Sequence, residues 1–264
     1  MRTDSQTASA LPDTSPEEWE TRVHLAAFYR LAAHYGWTDL IFTHISARVP
    51  GPDEHFLLNP FGWMFEEVTA SSLVKVDVDG RIVAPTPHHI HPAGFVIHSA
   101  VHQARPDALC VMHSHTRAGM AVSTMECGLL PLSQHAMLFE GRVAYHDSEG
   151  LALEMDERTR LVRDLGDKAV MILRNHGTLV AGGSMAETFS MMWHLEKAMQ
   201  AQVDALASQQ KLTYPSAEVA RATAANGFTS KKMGQYGDGQ SPLGRLEWPA
   251  LLRKLDRMDP SYRN

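Results

Sequence analysis

The sequence predicts a single α/β domain in which a mixed sheet carries helices on its faces. Two patterns lead to this fold class: an N-terminal helix is followed by several short strand-like runs, and apolar strands then alternate with helices. The 264 residues suffice for one large or two small domains, and nothing in the chain forces a split. We therefore expect one domain over residues 15–207, a flexible N-terminus over 1–14, and an extended C-terminal arm with a short helix over 208–264.

The first predicted helix begins at Ser15-Pro16-Glu17-Glu18. This motif combines an N-cap, a proline suited to the first helical position and a glutamate able to bond back to the cap. Gly36 is its predicted C-cap. An antiparallel meander of short strands follows, with Pro50-Gly51-Pro52 and Asp79-Gly80 as turn signals. Its predicted strands are 44–49, 56–58, 73–78 and 81–83.

The second half of the chain alternates between the two periodicities. Its predicted elements are a helix over 95–103, a strand over 108–113, a helix over 118–125, a strand over 142–145, a helix over 154–165, a strand over 169–173 and a long helix over 185–207. A capping box at Ser184-Met185-Ala186-Glu187 marks the start of the long helix. Beyond residue 207 the composition is polar and rich in glycine as far as Gly244, and a terminal helix is expected over 248–256.

Composition argues against several classes of partner. Lys and Arg number 24 against 30 Asp and Glu, which disfavours a nucleic-acid or anionic-membrane surface. No apolar stretch approaches the ~18 residues of a membrane helix, and the first 14 residues lack a signal-peptide core. Cys110 and Cys127 form no short-spaced pair, so we expect two reduced thiols in a cytoplasmic protein.

The triplet His113-Ser114-His115 is the strongest functional signal in the chain. It closes an apolar strand, and alternate side chains on a strand point to one face, so the two imidazoles can meet at one point. His176 follows the strand predicted over 169–173. If the two strands are neighbours, three neutral imidazoles bind one divalent ion and leave coordination positions open to water or substrate. Neutral imidazoles suit divalent transition metals such as zinc, iron, manganese or cobalt, and the residues alone leave the choice among them open.

Other histidines and one serine offer competing interpretations. His98 and His102 are four apart on a predicted helix and are a possible second pair of ligands, although no glutamate follows His98 to make a metalloprotease site. The loop cluster His88, His89 and His91 is more typical of solvated side chains, with substrate or metal binding as alternatives. Ser184 lies in a stretch similar to a hydrolase nucleophile elbow, but its role as a helix cap explains it completely.

Five ordered motifs make the chain resemble the class II aldolase/adducin family over about residues 19–207. They are PAGFVIHS at 92–99, ARPD at 104–107, VMHSHT at 111–116, GLLPLSQ at 128–134 and ILRNHG at 172–177. The resemblance implies a three-layer α/β/α sandwich whose central mixed sheet is largely antiparallel, and a homo-oligomer, commonly a tetramer. It also implies a zinc or similar divalent ion on His113, His115 and His176, where it polarises a substrate carbonyl.

The chain departs from the aldolases of this family at the expected proton-transfer and phosphate positions. Gly94 occupies the place of their acidic residue, and a glycine cannot transfer a proton. Pro92-Ala93 replaces their serines, and the segment 40–46 replaces their glycine-rich phosphate turn. Their tyrosine after the central proline is replaced near Gln134-His135. In these respects the chain looks more like the adducin head and its bacterial relatives.

These observations predict a divalent-metal-dependent aldolase-type lyase, or a related enzyme, acting on a small oxygenated carbonyl or carboxylate substrate that is not a standard sugar phosphate. Proton transfer would then fall to an imidazole, whose pKa lies near neutrality. The candidates for it are His44, His91, His98 and His135. Two alternatives remain open: a non-catalytic, adducin-like scaffold or binding protein, and an Fe(II)-dependent oxygenase on the same fold.

Overall fold

The computed structural model describes residue 11 and residues 14–150, 156–227 and 244–264, so most of the predicted N-terminal segment lies outside the described residues. The helices are α1 (Pro16–His34), α2 (Pro92–Ala104), α3 (Arg117–Ser123), α4 (Gln134–Met137), α5 (Glu157–Leu165), α6 (Met185–Ala207), α7 (Ala217–Gly227) and α8 (Glu247–Met258). The strands are β1 (His44–Arg48), β2 (Phe56–Leu58), β3 (Val74–Val76), β4 (Cys110–Ser114), β5 (Val143–His146), β6 (Val170–Leu173) and β7 (Gly177–Gly182).

The capping signals act where the sequence predicts them. The Ser15 hydroxyl accepts a hydrogen bond from the Glu18 amide at 3.2 Å and starts α1. The Ser184 hydroxyl accepts one from the Glu187 amide at 3.1 Å and starts α6. Both helices therefore begin at the predicted residues.

The seven strands form one sheet in the order β3-β2-β1-β4-β7-β6-β5. Only the pair β5 and β6 is parallel among the described strands, and the other five pairs are antiparallel. This confirms the prediction of a mixed, largely antiparallel sheet.

Helices cover both faces of the sheet and complete the three layers. Alternate residues of β4 face opposite cores: Met112 packs in the core with α1 and α6, and Val111 packs in the core with α2 and α5. By the same alternation His113 follows Val111 onto the α2 side. In β1, Ile45 faces the α1 core, so His44 also lies on the α2 side.

The structure corrects the predicted neighbourhood of the two metal-site strands. β4 and β6 are not adjacent, because β7 lies between them and pairs antiparallel with both. The predicted order of elements passed from the strand over 169–173 directly to the long helix and omitted β7. Asn175, with a φ of 57°, forms the tight turn that returns the chain as this strand.

Other differences are smaller. The predicted strand over 81–83 is reduced to one isolated bridge between Val76 and Ile82. The short helix α4 and the helix α7 were not predicted. The predicted helix over 154–165 is described from Glu157 onward, and its first residues lie outside the described part of the chain.

The C-terminal segment packs back onto the domain. The expected terminal helix is present as α8, and its Trp248 and Leu255 are buried with residues of α1. Tyr262 is fully buried, and its carbonyl accepts a hydrogen bond from the Ala70 amide at 2.9 Å. Both cysteines are free, and none of the described helices has the length and apolar character to cross a bilayer.

A buried tyrosine joins α1 to the strand that carries His44. The hydroxyl of Tyr29 accepts a hydrogen bond from the Ile45 amide at 2.7 Å. Its own proton goes to one of two acceptors, Asn59 Oδ1 at 2.9 Å or the Ile45 carbonyl. Tyr29 is fully buried, so water cannot replace these bonds if the hydroxyl is removed.

Tyr29→Phe is expected to lower the free energy of unfolding by about 1–3 kcal/mol, because it leaves the buried Ile45 amide without an acceptor. Urea denaturation followed by circular dichroism measures this change. Tyr214→Phe is the matched control, since Tyr214 is 53% exposed and its removal should change little. Equal stability of the two variants would contradict the role of the Tyr29 hydroxyl.

Candidate metal centre

Three histidines from two parts of the sheet meet at one end of it. The antiparallel register of β4 and β7 pairs Ser114 with Thr178 and so brings the β6–β7 turn beside the end of β4. His176, in that turn, then lies beside His113 and His115, with ring centroids 4.7–4.8 Å apart. One nitrogen from each ring lies within 4.8 Å of the other two. His113 is buried, whereas His115 and His176 are half-buried.

The hydrogen bonds of two of these rings define which nitrogen carries the proton. The Nδ1 of His113 lies 3.0 Å from the Thr178 carbonyl, which can only accept, so this Nδ1 is assigned as the donor. The Nδ1 of His115 lies 2.9 Å from Asp39 Oδ2 and is assigned as the donor to that carboxylate. In the neutral rings, both Nε2 atoms therefore carry lone pairs.

The Nε2 atoms of His113 and His115 approach each other closely. They are 2.9 Å apart, a distance at which they can share one proton or bind one cation together. Burial, together with the neighbouring imidazoles, holds the pKa of His113 well below its usual range and lowers the pKa of His176 to about 4. Both rings are thus neutral at physiological pH. This donor set fits a divalent transition metal, for which neutral imidazole is a preferred ligand.

Asp39 is a site residue that the sequence analysis missed. It orients His115 from a tight turn in which the Phe42 amide donates to the Asp39 carbonyl at 2.8 Å. Two residues of this turn have left-handed backbone, Leu40 with a φ of 49° and Thr43 with a φ of 69°. Such conformations are unfavourable for branched side chains and occur mainly where function requires them. The available signal was an acidic residue in the link before the strand that carries His44.

His44 lies beside the triad on the neighbouring strand. It pairs with His113 across β1 and β4, and the two rings are stacked with centroids 6.2 Å apart. The side chain is buried, and neither ring nitrogen has a hydrogen-bond partner among the described residues. Burial and the nearby imidazoles place its pKa well below the usual value. His44 is therefore a neutral ring with free lone-pair capacity next to the candidate ligands.

Gly94 lies directly against the ring of His44. A Cβ atom at position 94 would lie 2.6 Å from Cδ2 and Nε2 of His44, closer than any tolerated contact. An acidic residue at position 94 is therefore incompatible with the imidazole where it now stands. The ring of His44 fills the volume that such a side chain would need.

His98 and His102 are not a second pair of metal ligands in the described structure. Both bind the hydroxyl of Ser46, with His98 Nδ1 at 2.6 Å and His102 Nε2 at 2.7 Å. The Nδ1 of His102 donates to the Ala108 carbonyl at 3.1 Å, so its Nε2 accepts from Ser46 and Ser46 accepts from His98. This order leaves His98 Nε2 with a buried lone pair that has no described partner, and the ring lies 5.7 Å from that of His44.

His91 and His135, the other two candidates for proton transfer, lie in different parts of the structure. His91 is the N-cap of α2, where its Nδ1 accepts from the Gly94 amide at 3.3 Å, and its ring lies 5.2 Å from that of His44. His135 lies instead against His194 of α6, with ring centroids 5.1 Å apart. None of its described contacts reaches the triad. The structure thus brings His44, His91 and His98 to the centre and leaves His135 outside it.

Comparison with known proteins identifies the family of this chain. Residues 23–203 match the family model described as the Class II Aldolase and Adducin N-terminal domain. The chain belongs to the class II aldolase and adducin family. The crystal structure of an aldolase II superfamily protein from Pseudomonas syringae is 51% identical, with a TM-score of 0.88 over 97% of this chain and 100% of that one.

Two further similar proteins are an aldolase and an adducin. L-fuculose 1-phosphate aldolase from Glaciozyma antarctica is 26% identical, with a TM-score of 0.80 over 97% of both chains. Alpha-adducin from Rattus norvegicus is 44% identical over 243 residues, which cover 90% of this chain and 33% of that protein. These relatives confirm the family and the α/β fold.

Proposed function

We propose that this chain is a divalent-metal-dependent, aldolase-type lyase acting on a small oxygenated carbonyl or carboxylate substrate that carries no phosphate. His113, His115 and His176 would hold the ion, with zinc favoured over iron, manganese or cobalt. The proposal rests on one observation above all: one nitrogen from each of three histidine rings lies within 4.8 Å of the other two. The fold of the metal-dependent aldolases supports it.

A bound divalent ion supplies Lewis-acid polarisation of a substrate carbonyl. The chain itself supplies the proton transfer, and His44 is the residue best placed for it, because it is neutral, buried and unpartnered beside the triad. In retro-aldol cleavage, His44 would take the proton of the substrate hydroxyl as the carbon–carbon bond breaks. The resulting imidazolium would then return a proton to the carbon that keeps the bonding electrons.

The surroundings of His44 favour an uncharged or weakly charged substrate. Burial, followed by the neighbouring imidazoles, lowers the pKa of His44. Phe42 and Phe61 approach the neighbouring ring of His91, with centroids 6.2 and 4.6 Å away, and both are partly exposed. A phosphate group needs cationic or amide donors, which this rim of aromatic side chains does not offer.

A binding protein on the same fold is the second candidate. Two observations favour it: Gly94 stands where the aldolases carry an acid, and identity to alpha-adducin, at 44%, exceeds the 26% found for the fuculose phosphate aldolase. An Fe(II)-dependent oxygenase is a third possibility for the same three imidazoles. The variants below separate these functions.

We also expect a homo-oligomer, with a tetramer favoured, as the family resemblance implies. Light scattering coupled to size-exclusion chromatography should give about four times the chain mass of 29.3 kDa. A monomeric mass at micromolar concentration would contradict this expectation.

Protein purified without added metal should contain about one equivalent of a divalent transition metal per chain, as expected of a three-imidazole site. His115→Ala removes one ligand and should reduce the content well below one equivalent. His55→Ala is the matched control, because His55 lies beside Asp53 and outside the centre. Elemental analysis measures all three proteins, and a wild-type content well under one equivalent would refute the metal centre.

His44→Gln should retain the metal and lose at least about 100-fold in kcat, the usual contribution of a proton-transfer group. The assay measures aldehyde released from a panel of non-phosphorylated hydroxycarbonyl compounds by the zinc form. Oxygen uptake by the iron form is measured in parallel, and His55→Gln is the control. A fully active His44→Gln variant would rule out the assigned role. No turnover of the panel by metal-loaded wild type would favour the binding protein, and oxygen uptake would favour the oxygenase.

A further inference from the structure

His146 is a buried histidine outside the triad, and it lies close to His176. His146 ends β5 and is 4% exposed. It pairs with Leu173 of β6, and its carbonyl accepts a hydrogen bond from the Arg174 amide at 2.8 Å. The chain reaches His176 two residues later. His146 therefore lies next to the segment that carries the third candidate ligand.

Only one nitrogen of His146 has a hydrogen-bond partner among the described residues. Its Nδ1 lies 2.7 Å from Asp164 Oδ2 on α5 and is assigned as the donor, because a carboxylate accepts. Its Nε2 is buried and has no hydrogen-bond partner. The nearest carboxylate oxygens described, on Glu157 and Glu149, are 3.6 and 4.0 Å away, beyond direct hydrogen-bond distance.

His146 and His176 both line one small cavity. Its volume is about 10 Å³, close to what one water molecule needs, and its lining includes His146, Glu157 and His176. A buried water also needs two to four polar partners, which these three side chains can provide. The cavity therefore has the size and the polarity of a single-water site.

Among the described residues, the ring of His176 has no acceptor for its outer N–H, unlike the rings of His113 and His115. Metal-binding histidines almost always donate the outer N–H to a carboxylate, a backbone carbonyl or a water. His113 donates to the Thr178 carbonyl and His115 donates to Asp39. The described hydrogen bonds include none from the ring of His176. Because His176 lines the cavity, a water molecule there can supply such an acceptor.

We propose that one water molecule in this cavity links His176 to His146. The water accepts the outer N–H of His176, donates one hydrogen to His146 Nε2 and donates the other toward Glu157. Asp164, His146 and the water then orient His176 as Asp39 orients His115. His146 is thus a positioning residue of the metal centre, and the inference rests on the metal site of the proposed function.

Guanidinium groups bind two of the three carboxylates that lie near His146. Arg160 binds both oxygens of Glu149, with its Nε 2.6 Å from Oε1. Arg163 lies 2.8 Å from the other oxygen of Asp164. Two of the three nearby carboxylates are therefore already paired with a guanidinium, and Glu157 is the third.

The test measures the affinity of metal-free protein for Zn²⁺ by competition with a chromophoric chelator. His146→Leu is expected to bind Zn²⁺ about 10- to 100-fold more weakly, the usual effect of losing such an outer contact. Asp39→Ala, which removes the acceptor of His115, should weaken binding similarly and serves as the reference. His55→Leu is the matched control and should bind like wild type. His146→Gln, whose amide can reach the Nε2 position and accept from the water, should recover most of the affinity.

Stability of the metal-free proteins in urea separates positioning from packing. If His146→Leu binds Zn²⁺ within twofold of wild type, the inference is overturned, whatever its stability. If His146→Leu fails to fold, Asp164→Ala tests the same series of hydrogen bonds, and its affinity for Zn²⁺ is expected to fall about 10-fold. Wild-type affinity in that variant would equally overturn the inference. Absence of Zn²⁺ binding in wild type would instead refute the metal centre itself, and this result is distinct from the others.

Discussion

The pairing of β4 with β7 is the constraint on which the candidate centre depends. It places the β6–β7 turn beside the end of β4, so that His176 meets His113 and His115. It also provides the Thr178 carbonyl that holds the proton of His113 on Nδ1. A shift of the register by one residue would turn His113 to the opposite face of the sheet. The apolar side chains of β4, packed between two cores, make that shift unfavourable, because it would expose or misplace every one of them.

The α2 side of the sheet contains an unusual density of buried imidazoles for one domain. Carbonyls, a carboxylate or the Ser46 hydroxyl bind the outer nitrogens of His98, His113 and His115. His44 has no described hydrogen-bond partner on either ring nitrogen, and the Nε2 of His98 has none. Buried polar groups without partners are destabilising, so their concentration at one sheet end is typical of a functional site. Gly94 is part of this arrangement, because only a residue without a side chain leaves room for the ring of His44. Any side chain at position 94 would therefore require the ring of His44 to move.

Much of this architecture could be predicted from the sequence, and the parts that could not share a physical reason. The capping boxes at Ser15 and Ser184 predicted both helix starts, because caps act over three or four residues of sequence. The alternation in β4 predicted that His113 and His115 share a face. The strand β7 was missed, since it follows β6 after a tight turn at Asn175 and its run is bounded by glycines. Asp39 and His146 were missed because their roles depend on partners distant in sequence, 76 residues away in the case of Asp39.

The position of a bound ion is the most direct test of the metal centre. Crystals of the protein grown with Zn²⁺ would be measured at the zinc absorption edge, and the anomalous map would locate the ion without reference to any assumed site. We expect one strong peak about 2.0–2.1 Å from Nε2 of His113, from Nε2 of His115 and from one ring nitrogen of His176. A map with no peak there, or with the three rings turned apart onto other partners, would contradict the claim that they form one metal site.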